Sequence, residues 1–595
     1  MTTWTLKAND VDNNIPVHPL GIMARVLLVG VFGPYQRDDE YGSRSDNPME
    51  LFHNQVTREE GAWDVRMFVR HPGMYLMYAN IEAPCTVLEY PTLERFEQEL
   101  RNVHYDIIGI SGIMVNILKV KKMCDLIRRY QPRAEIVVGG HIARLPDLAK
   151  RISADHIVIG DGVAWFRKHL NQNLEAPLRH PMLVSSFGTR TLGVDVGDPP
   201  NDTAAMVIPS AGCRMGCNFC NTSAHFGGKG EVINFFKTGD ELFSIMDQLE
   251  THLGSRSFFI MDENFLVNRK RALRLLELME QTGKAWSLYI FASAKLIQSY
   301  KIEQLVRLGI SWVWLGLEGE GANYSKLNGT DTHELVRFLQ SHGIRVLGST
   351  IIGLPEHSPE NIDRVIDYAV SHATDFHQFM LYTPLPGTTL YDACREEKLL
   401  LGEDECPLPD MHGQRRFNWR HPHLLPGTET AILQRAFRRD YAVNGPSLLR
   451  CVRTTLHGYK RYKDHPNLAI RDRYRWEAKT LWKRDAGMAW AGCHYFTQKG
   501  NPIVVRKLER LLTDLHAEFG MKSRVAAPLI GRYLTYTIVK EEGRLRKGWT
   551  YEPSTRYVFN RKEARYRQDT RRVWQYGEVL DVLMHQVPLL ELPVR

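Results

Sequence analysis

Long hydrophobic runs are missing from this sequence. The longest apolar stretches, such as IIGISGIM (Ile107 to Met114) and ISWVWLGL (Ile310 to Leu317), fall well short of the roughly 18–20 residues a helix needs to cross a bilayer, so no spanning helix is expected. The opening MTTWTLKANDVDNN has acidic residues and no apolar core segment, which argues against a secretory signal. Cysteine is scarce. Nine in 595 residues do not make a disulfide framework and fit a reducing, cytoplasmic setting. Repeats and low-complexity tracts are also absent. Charge of one sign is limited to an excess of +8, and that excess is local. Between Arg544 and Arg572 there are ten Lys/Arg against three Asp/Glu, a patch suited to phosphates, an acidic substrate or an anionic membrane surface, or simply a solvated basic face. Nucleic acid is not an expected partner.

What is present is enough apolar material for several cores. Hydrophobic residues make up 43% of the chain and charged residues 24%, ordinary values for a globular protein, and the length implies about three or four domains. The first part alternates buried-strand runs with helical stretches: VLLVGV (Val26 to Val31), DIIGIS (Asp106 to Ser111), EIVVGG (Glu135 to Gly140) and HIVIGDG (His156 to Gly162). Such an order predicts a Rossmann-like parallel α/β sheet with ligands at the carboxyl ends of its strands. Those ends carry Ser111-Gly112, Gly139-Gly140-His141 and Gly160-Asp161-Gly162, where backbone can approach a bound group closely or simply turn tightly. Residues 171–204 lack periodicity and are expected to be a linker between a first domain at 1–170 and a second at 205–400. The second domain holds six strand candidates: AAMVIPS, SFFIMDE, SLYIFAS, WVWLGLE, RVLGSTIIG and FHQFMLYTP. Separated mostly by helical stretches, these suit a partial (β/α)6 barrel. Residues 401–595 read as a mainly helical region rich in Arg, Trp and Tyr.

Directly after the first barrel strand stands PSAGCRMGCNFCNTS, with Cys213, Cys217 and Cys220 on one short loop. Three thiolates hold three corners of an iron–sulfur cube and leave the fourth iron without a protein ligand. A structural zinc site needs a fourth ligand, for which His225 is the obvious neighbour.

This CxxxCxxC at the end of the first strand of a partial barrel, with Phe219 at the aromatic position before the third cysteine, resembles the radical S-adenosylmethionine (SAM) superfamily. The resemblance implies a 4Fe-4S cluster on Cys213, Cys217 and Cys220, SAM chelated to the open iron, and reductive cleavage of SAM to methionine and a 5′-deoxyadenosyl radical. It implies SAM contacts from Asp262, Glu263 and Asn264 in MDENF, although the commoner Gly-Gly-Glu form of that motif is not matched. Ser293 in FASAK, Glu318 in LGLEG and Gly353 in GSTIIGLPE complete the implied SAM site. An electron donor such as flavodoxin or ferredoxin follows as a partner.

The α/β domain ahead of the barrel resembles the cobalamin-binding domain of cobalamin-dependent radical SAM enzymes. That resemblance implies a cobalamin tail lying along Ser111, Gly112, Gly139, Gly140, His141, Gly160 and Gly162. The Asp-x-His-x-x-Gly motif that supplies a cobalt ligand elsewhere is absent. Arg66, Arg70 and His71 either face the lower side of the cobalt or the substrate, or Arg66 and Arg70 form a solvated arginine pair, the second being the default. The implied activity is methylation of an unactivated carbon of a small-molecule or lipid substrate. The alternatives are a non-methylating cyclase, ring-modifying or carbon–carbon coupling enzyme on a tetrapyrrole or lipid, and a non-enzymatic metal- or nucleic-acid-binding protein.

Overall fold

The computed structural model describes residues 2–6, 14–33, 41, 51–320, 327, 329–549 and 556–558. Most of the basic run, including Arg565, Arg567, Arg571 and Arg572, lies outside them.

The N-terminal strands are β1 (Thr2–Leu6), β2 (Val26–Gly30), β3 (Arg66–Val69), β4 (Cys85–Glu89), β5 (Ile107–Ser111), β6 (Glu135–Gly139) and β7 (His156–Gly160). Six of them form a parallel sheet in the order β1-β7-β6-β5-β2-β4. β2 and β4 are buried at every position, as strands covered by helices on both faces must be. The sequence pattern anticipates four of these strands; β1 and β4 are additions. The supposed linker also has structure. β8 (Ser186–Thr191) pairs antiparallel with β3 on one side and with β9 (Val194–Asp195) on the other, the last two joined by a two-residue turn whose Leu192 and Gly193 both have positive φ (54° and 74°). That is the backbone a type I′ hairpin turn requires.

At the amino ends of β6 and β7, Glu135 is ringed by imidazoles. His156 Nε2 lies 3.1 Å and His169 Nε2 3.0 Å from its Oε2, and His18 Nε2 lies 3.8 Å from Oε1. Trp4 Nε1–H donates to His156 Nδ1 at 3.3 Å, and the Leu20 N–H donates to His18 Nδ1 at 3.2 Å. Both rings therefore turn an Nε2–H, not a lone pair, toward the carboxylate. The group ties β1 and the segment around Pro16 to the sheet, because His169 Nδ1–H also donates to the Pro16 carbonyl at 2.7 Å. Hydrogen bonds from His156 and His169 hold the Glu135 carboxyl below its ordinary range. A lowered pKa means that the unfolded chain binds the extra proton, so this stabilisation is present above the unfolded value of 4.5 and fades as pH falls below it. Glu135→Gln is expected to lose about 1.5–3 kcal/mol near neutral pH, the usual worth of hydrogen bonds to a charged group. In urea melts the difference from the parent protein should shrink in acid.

β10 (Ala205–Val207) opens the second sheet. The short β11 (Ser210–Ala211) and β12 (Ile233–Asn234) pair with each other beside it. The sheet continues through β13 (Ser257–Ile260), β14 (Ser287–Phe291), β15 (Ile310–Glu318), β16 (Arg345–Ile352) and β17 (Phe376–Leu381), all parallel and in chain order. Intervening helices are delimited by ordinary signals: Thr238 and Glu241 form a capping box before Gly239–Leu253, and Gly254 closes that helix at φ 68°. Leu288, Ile290, Val313 and Leu315 pack outward with the helices in one core. Alternation then turns Tyr289, Phe291, Trp312 and Trp314 to the inner face, where Phe291 stacks on Trp314 at 5.1 Å and Trp312 on Phe376 at 5.3 Å.

Beyond the barrel the chain is helical from Glu429 to Leu545 apart from short connections. The strand β18 (Arg556–Val558) returns to add antiparallel to β4.

Candidate active site

The carboxyl ends of the first sheet and the mouth of the barrel share one cleft, with about 1360 Å³ of space, part of it open to solvent. From the first domain come Ser111, Gly139, Gly140, His141, Gly160, Asp161 and Gly162, with His71 and Met77 opposite; from the barrel come Ser210, Thr222, His225, Met261 and Glu263. The glycines are needed. Gly140 has φ 81° and a Cβ there would meet the Gly112 carbonyl at 2.6 Å; Gly160 has φ 95° and a Cβ would meet the Leu6 carbonyl at 2.0 Å. Gly112 lies beneath this floor, packed on Val120, and does not line the cleft. Asp161 caps the helix Gly162–His169, its Oδ1 accepting from the N–H groups of Val163 and Ala164 at 2.9 and 3.0 Å.

The expectation of a solvated arginine pair at Arg66 and Arg70 is overturned. Arg70 is buried, and its Nη1 donates to Glu89 Oε2 at 2.8 Å. The same carboxylate accepts from Tyr75 Oη and from the His71 backbone N–H, each at 2.8 Å. Arg66, also buried, lies 3.3 Å from Asp64. Glu89 thereby fixes His71 at the rim of the cleft, where burial lowers the pKa of its imidazole. The Nδ1 atoms of His71, His141 and His225 are buried and carry no hydrogen bond, which suits a cleft made for a ligand with polar groups of its own.

The cysteine loop runs from β11 to the helix Asn221–His225, for which Cys220 is the N-cap. Gly212 and Gly216 have φ of 92° and 62°, and side chains there would collide with Phe226 and Lys229. The Cys220 N–H donates to the Cys217 carbonyl at 3.0 Å, and Ser223 Oγ donates to the Cys213 carbonyl at 3.0 Å. All three cysteines are half-buried. Burial, together with the nearby thiols and Glu263, pushes the Cys213 thiol up to about 11. So much potential negative charge in one place suits a bound cationic metal group. His225, the neighbour a zinc site would use, packs against His141 with ring centroids 4.7 Å apart and the rings tilted by 31°, and burial lowers the two to about 2 and about 4. Arg144 from the first domain, whose part here nothing in the sequence signals, donates to the carbonyls of Ala224 and His225 at 2.8 and 3.1 Å. It thus joins the cysteine loop to the strand ends of the first sheet.

At the end of β13 the three candidate residues separate. Asp262 is buried and ion-paired with Arg271. The Asn264 side chain accepts the Ser293 N–H at 3.2 Å. Glu263 makes no hydrogen bond or ion pair among the described residues and faces the cleft. Solvent reaches it there, yet the surrounding protein, with Asp262 adding to the effect, raises its carboxyl to about 7. Ser293 Oγ is buried without a partner. Glu318 ends β15 in left-handed backbone at φ 63°. Gly353, at φ 79°, makes room for Phe417, whose ring a Cβ would meet at 2.3 Å. Phe219 packs edge-on near Tyr382, ring centroids 6.2 Å apart.

A glycine-floored cleft on a Rossmann-like sheet, walled on its far side by the helix that follows a three-cysteine loop at the mouth of a partial barrel, joins two α/β domains. Residues 207–369 match the radical SAM superfamily and residues 61–168 the B12 binding domain. The chain therefore carries a radical SAM domain and a B12-binding domain, of the kinds that take a 4Fe-4S cluster with SAM and a cobalamin.

It is similar to an uncharacterised methyltransferase of Pyrococcus horikoshii (24% identity, 50% of this chain and 71% of that one). A bacteriochlorophyllide d C-12(1)-methyltransferase of Chlorobaculum tepidum is 22% identical over 49% of this chain and 66% of its own. The hopanoid C-2 methylase of Rhodopseudomonas palustris is 27% identical over 50% of this chain and 59% of its own. The solved radical SAM methyltransferase TsrM of Kitasatospora setae, with cobalamin and a [4Fe-4S] cluster bound, aligns over 77% of this chain and 99% of its own at 14% identity and a TM-score of 0.46.

Proposed function

We propose that the protein is a cobalamin-dependent radical SAM C-methyltransferase acting on an unactivated carbon of an apolar small molecule or lipid. The carrying observation is the shared cleft, which brings the glycine floor at Gly139, Gly140, Gly160 and Gly162 and the back of the cysteine loop onto one cavity. Methyl transfer between two cofactors and a substrate requires that proximity. When bound, the cluster supplies the electron that splits SAM and cobalamin carries the methyl group. The chain's own part is to hold and orient. Cys213, Cys217 and Cys220 would hold the cluster, and Glu263 would pair with the SAM amine, since Asp262 is committed to Arg271. Ser293 Oγ offers a hydroxyl to the same ligand. The aromatic inner wall of Tyr289, Phe291, Trp312 and Trp314 supports an apolar or planar substrate. The curated relatives named for pigments and hopanoids support the same class. Nine cysteines without a disulfide support a cytoplasmic place, and a small electron-transfer protein of the flavodoxin or ferredoxin kind fits as reductant. No described helix is long and apolar enough to cross a membrane.

The test is anaerobic incubation of the reconstituted protein with dithionite, methyl-labelled SAM and extracted apolar lipids or tetrapyrroles. Label should enter a product while S-adenosylhomocysteine and 5′-deoxyadenosine accumulate together. Deoxyadenosine formed with substrate consumption but no methyl transfer would refute the proposal in favour of a non-methylating ring-modifying or cyclase reaction. A narrower prediction concerns Glu263→Gln. Loss of one charge-assisted contact worth about 1.5–3 kcal/mol should raise the KM for SAM by roughly 10- to 150-fold with the cluster intact, measured by deoxyadenosine formation against SAM concentration.

A further inference from the structure

The helix Pro502–Leu545 is two helices joined at Gly520, where the backbone turns to φ 58°, ψ −139°. Its second half has an inner face of Ser523, Ala527, Gly531, Leu534, Ile538 and Glu541, all buried. This face packs very closely on the helix Ala486–Gln498: a Cβ on Gly531 would meet the Trp490 ring at 2.4 Å, and one on Gly487 would meet Ile530 at 2.6 Å. Arg190 of β8 locks the register, its Nε and Nη2 donating to the Glu541 carboxylate at 2.8 and 2.7 Å. The opposite face cannot rotate inward.

That outer face is apolar where water would favour polar residues. Met521, Val525, Leu529, Tyr533, Tyr536 and Val539 are 54–71% exposed and follow each other at three- and four-residue steps, one row along the helix. Among the described residues no other helix exposes so many large apolar side chains. Exposed apolar rows of this extent mark interaction surfaces. The charges beside the row have one sign: Lys522, Arg524, Arg532 and Lys540 are exposed along it, and no acidic residue occurs from Met521 to Lys540. A row of aliphatic and tyrosine side chains edged by basic residues is the pattern of a helix that lies in the headgroup region of a bilayer, its tyrosines straddling the boundary and its Lys/Arg stems reaching outward. The positive edge selects anionic lipid.

We propose that residues 521–540 form a docking face for an anionic membrane surface, distinct from the basic run beyond Arg556 and independent of the methyl-transfer reading. Within the chain's own C-terminal segment, Arg561 to Arg572 has six Lys/Arg and the same sign of charge as this face, whereas Val573 to Arg595 is apolar with Glu578, Asp581 and Glu591 and is the competing occupant. Vesicle binding that appears only when residues 573–595 are removed would overturn the proposal.

The full chain with its cluster in place would be sedimented with vesicles of phosphatidylcholine alone and of phosphatidylcholine mixed with phosphatidylglycerol. Binding is expected to the mixed vesicles, weakening as salt is raised. Leu529→Glu combined with Tyr533→Glu should abolish it. Arg524→Gln and Arg532→Gln should each weaken it about fivefold, the worth of one basic residue at an anionic surface. Iron content and circular dichroism should be unchanged in all of them, since the substituted positions are exposed. Absence of binding by the parent protein, equal binding to phosphatidylcholine alone, or undiminished binding by the double glutamate variant would each overturn the proposal. A parent protein that ignores vesicles but forms a dimer dissolved by the glutamates would make a second copy the occupant, and would overturn it as well.

Discussion

Replacing Cys217 with alanine is expected to leave a folded protein that no longer retains its cluster after anaerobic reconstitution and no longer cleaves SAM. The cysteine loop owes its shape to Gly212 and Gly216 and to the hydrogen bonds from Cys220 and Ser223, none of which uses the Cys217 side chain, so the fold should survive. The cluster should not. Three thiolates are the fewest that hold a cube while leaving one iron open for SAM; two leave the cube able to dissociate. Deoxyadenosine formation should fall at least about a thousandfold, equivalent to roughly 4 kcal/mol of barrier. Cys493→Ser is the control: this half-buried residue of the C-terminal helices should leave iron content and cleavage unchanged. Full iron and full cleavage in Cys217→Ala would remove the cysteine loop from the site.

The loop is also where the sequence was most informative, because ligand spacing on one short segment needs no tertiary information. The same holds for β2, β5, β6 and β7, whose unbroken apolar runs report strands covered on both sides. Legibility ends where partners are distant in the chain. TTWTL at Thr2–Leu6 reads as half-polar, and becomes a strand because it pairs along the whole length of β7, with Trp4 against His156. Arg70 reads as solvated until Glu89 is seen 2.8 Å away. Asp262, Glu263 and Asn264 are equivalent as letters; Arg271 and the Ser293 N–H distinguish them by occupying two of the three. Gly353 reads as a ligand-facing glycine, whereas Phe417, more than sixty residues on, fills the space beside it. The exposed row from Met521 to Val539 reads in sequence as part of one long helix, and only the packing of Gly531 on Trp490 shows which side faces out.

Filling the cleft from its floor should separate the two cofactors. Most glycines there cannot carry the test, since a side chain at Gly140 or Gly160 would strike backbone and distort the strand ends themselves. Gly139 is different. It lines the cleft, its φ is outside the left-handed region, and a Cβ would find only the Val158 carbonyl at 3.7 Å, an ordinary contact. Gly139→Leu therefore places a branched side chain in the space the cobalamin tail would take without straining the sheet. Cobalamin affinity should fall at least about a hundredfold, near 2.7 kcal/mol, visible as protein that emerges from gel filtration without cobalamin absorption. The cysteine loop draws its geometry from the barrel side of the cleft, so iron content and reductive formation of deoxyadenosine should stay within a few-fold of the parent. Methyl transfer should vanish. A Gly139→Leu protein that binds cobalamin as the parent does would show that the cobalamin tail does not use this floor. Joint loss of cobalamin and of SAM cleavage, with iron retained, would show instead that the cleft acts as one unit, with Arg144 and the His141–His225 contact carrying the effect across it.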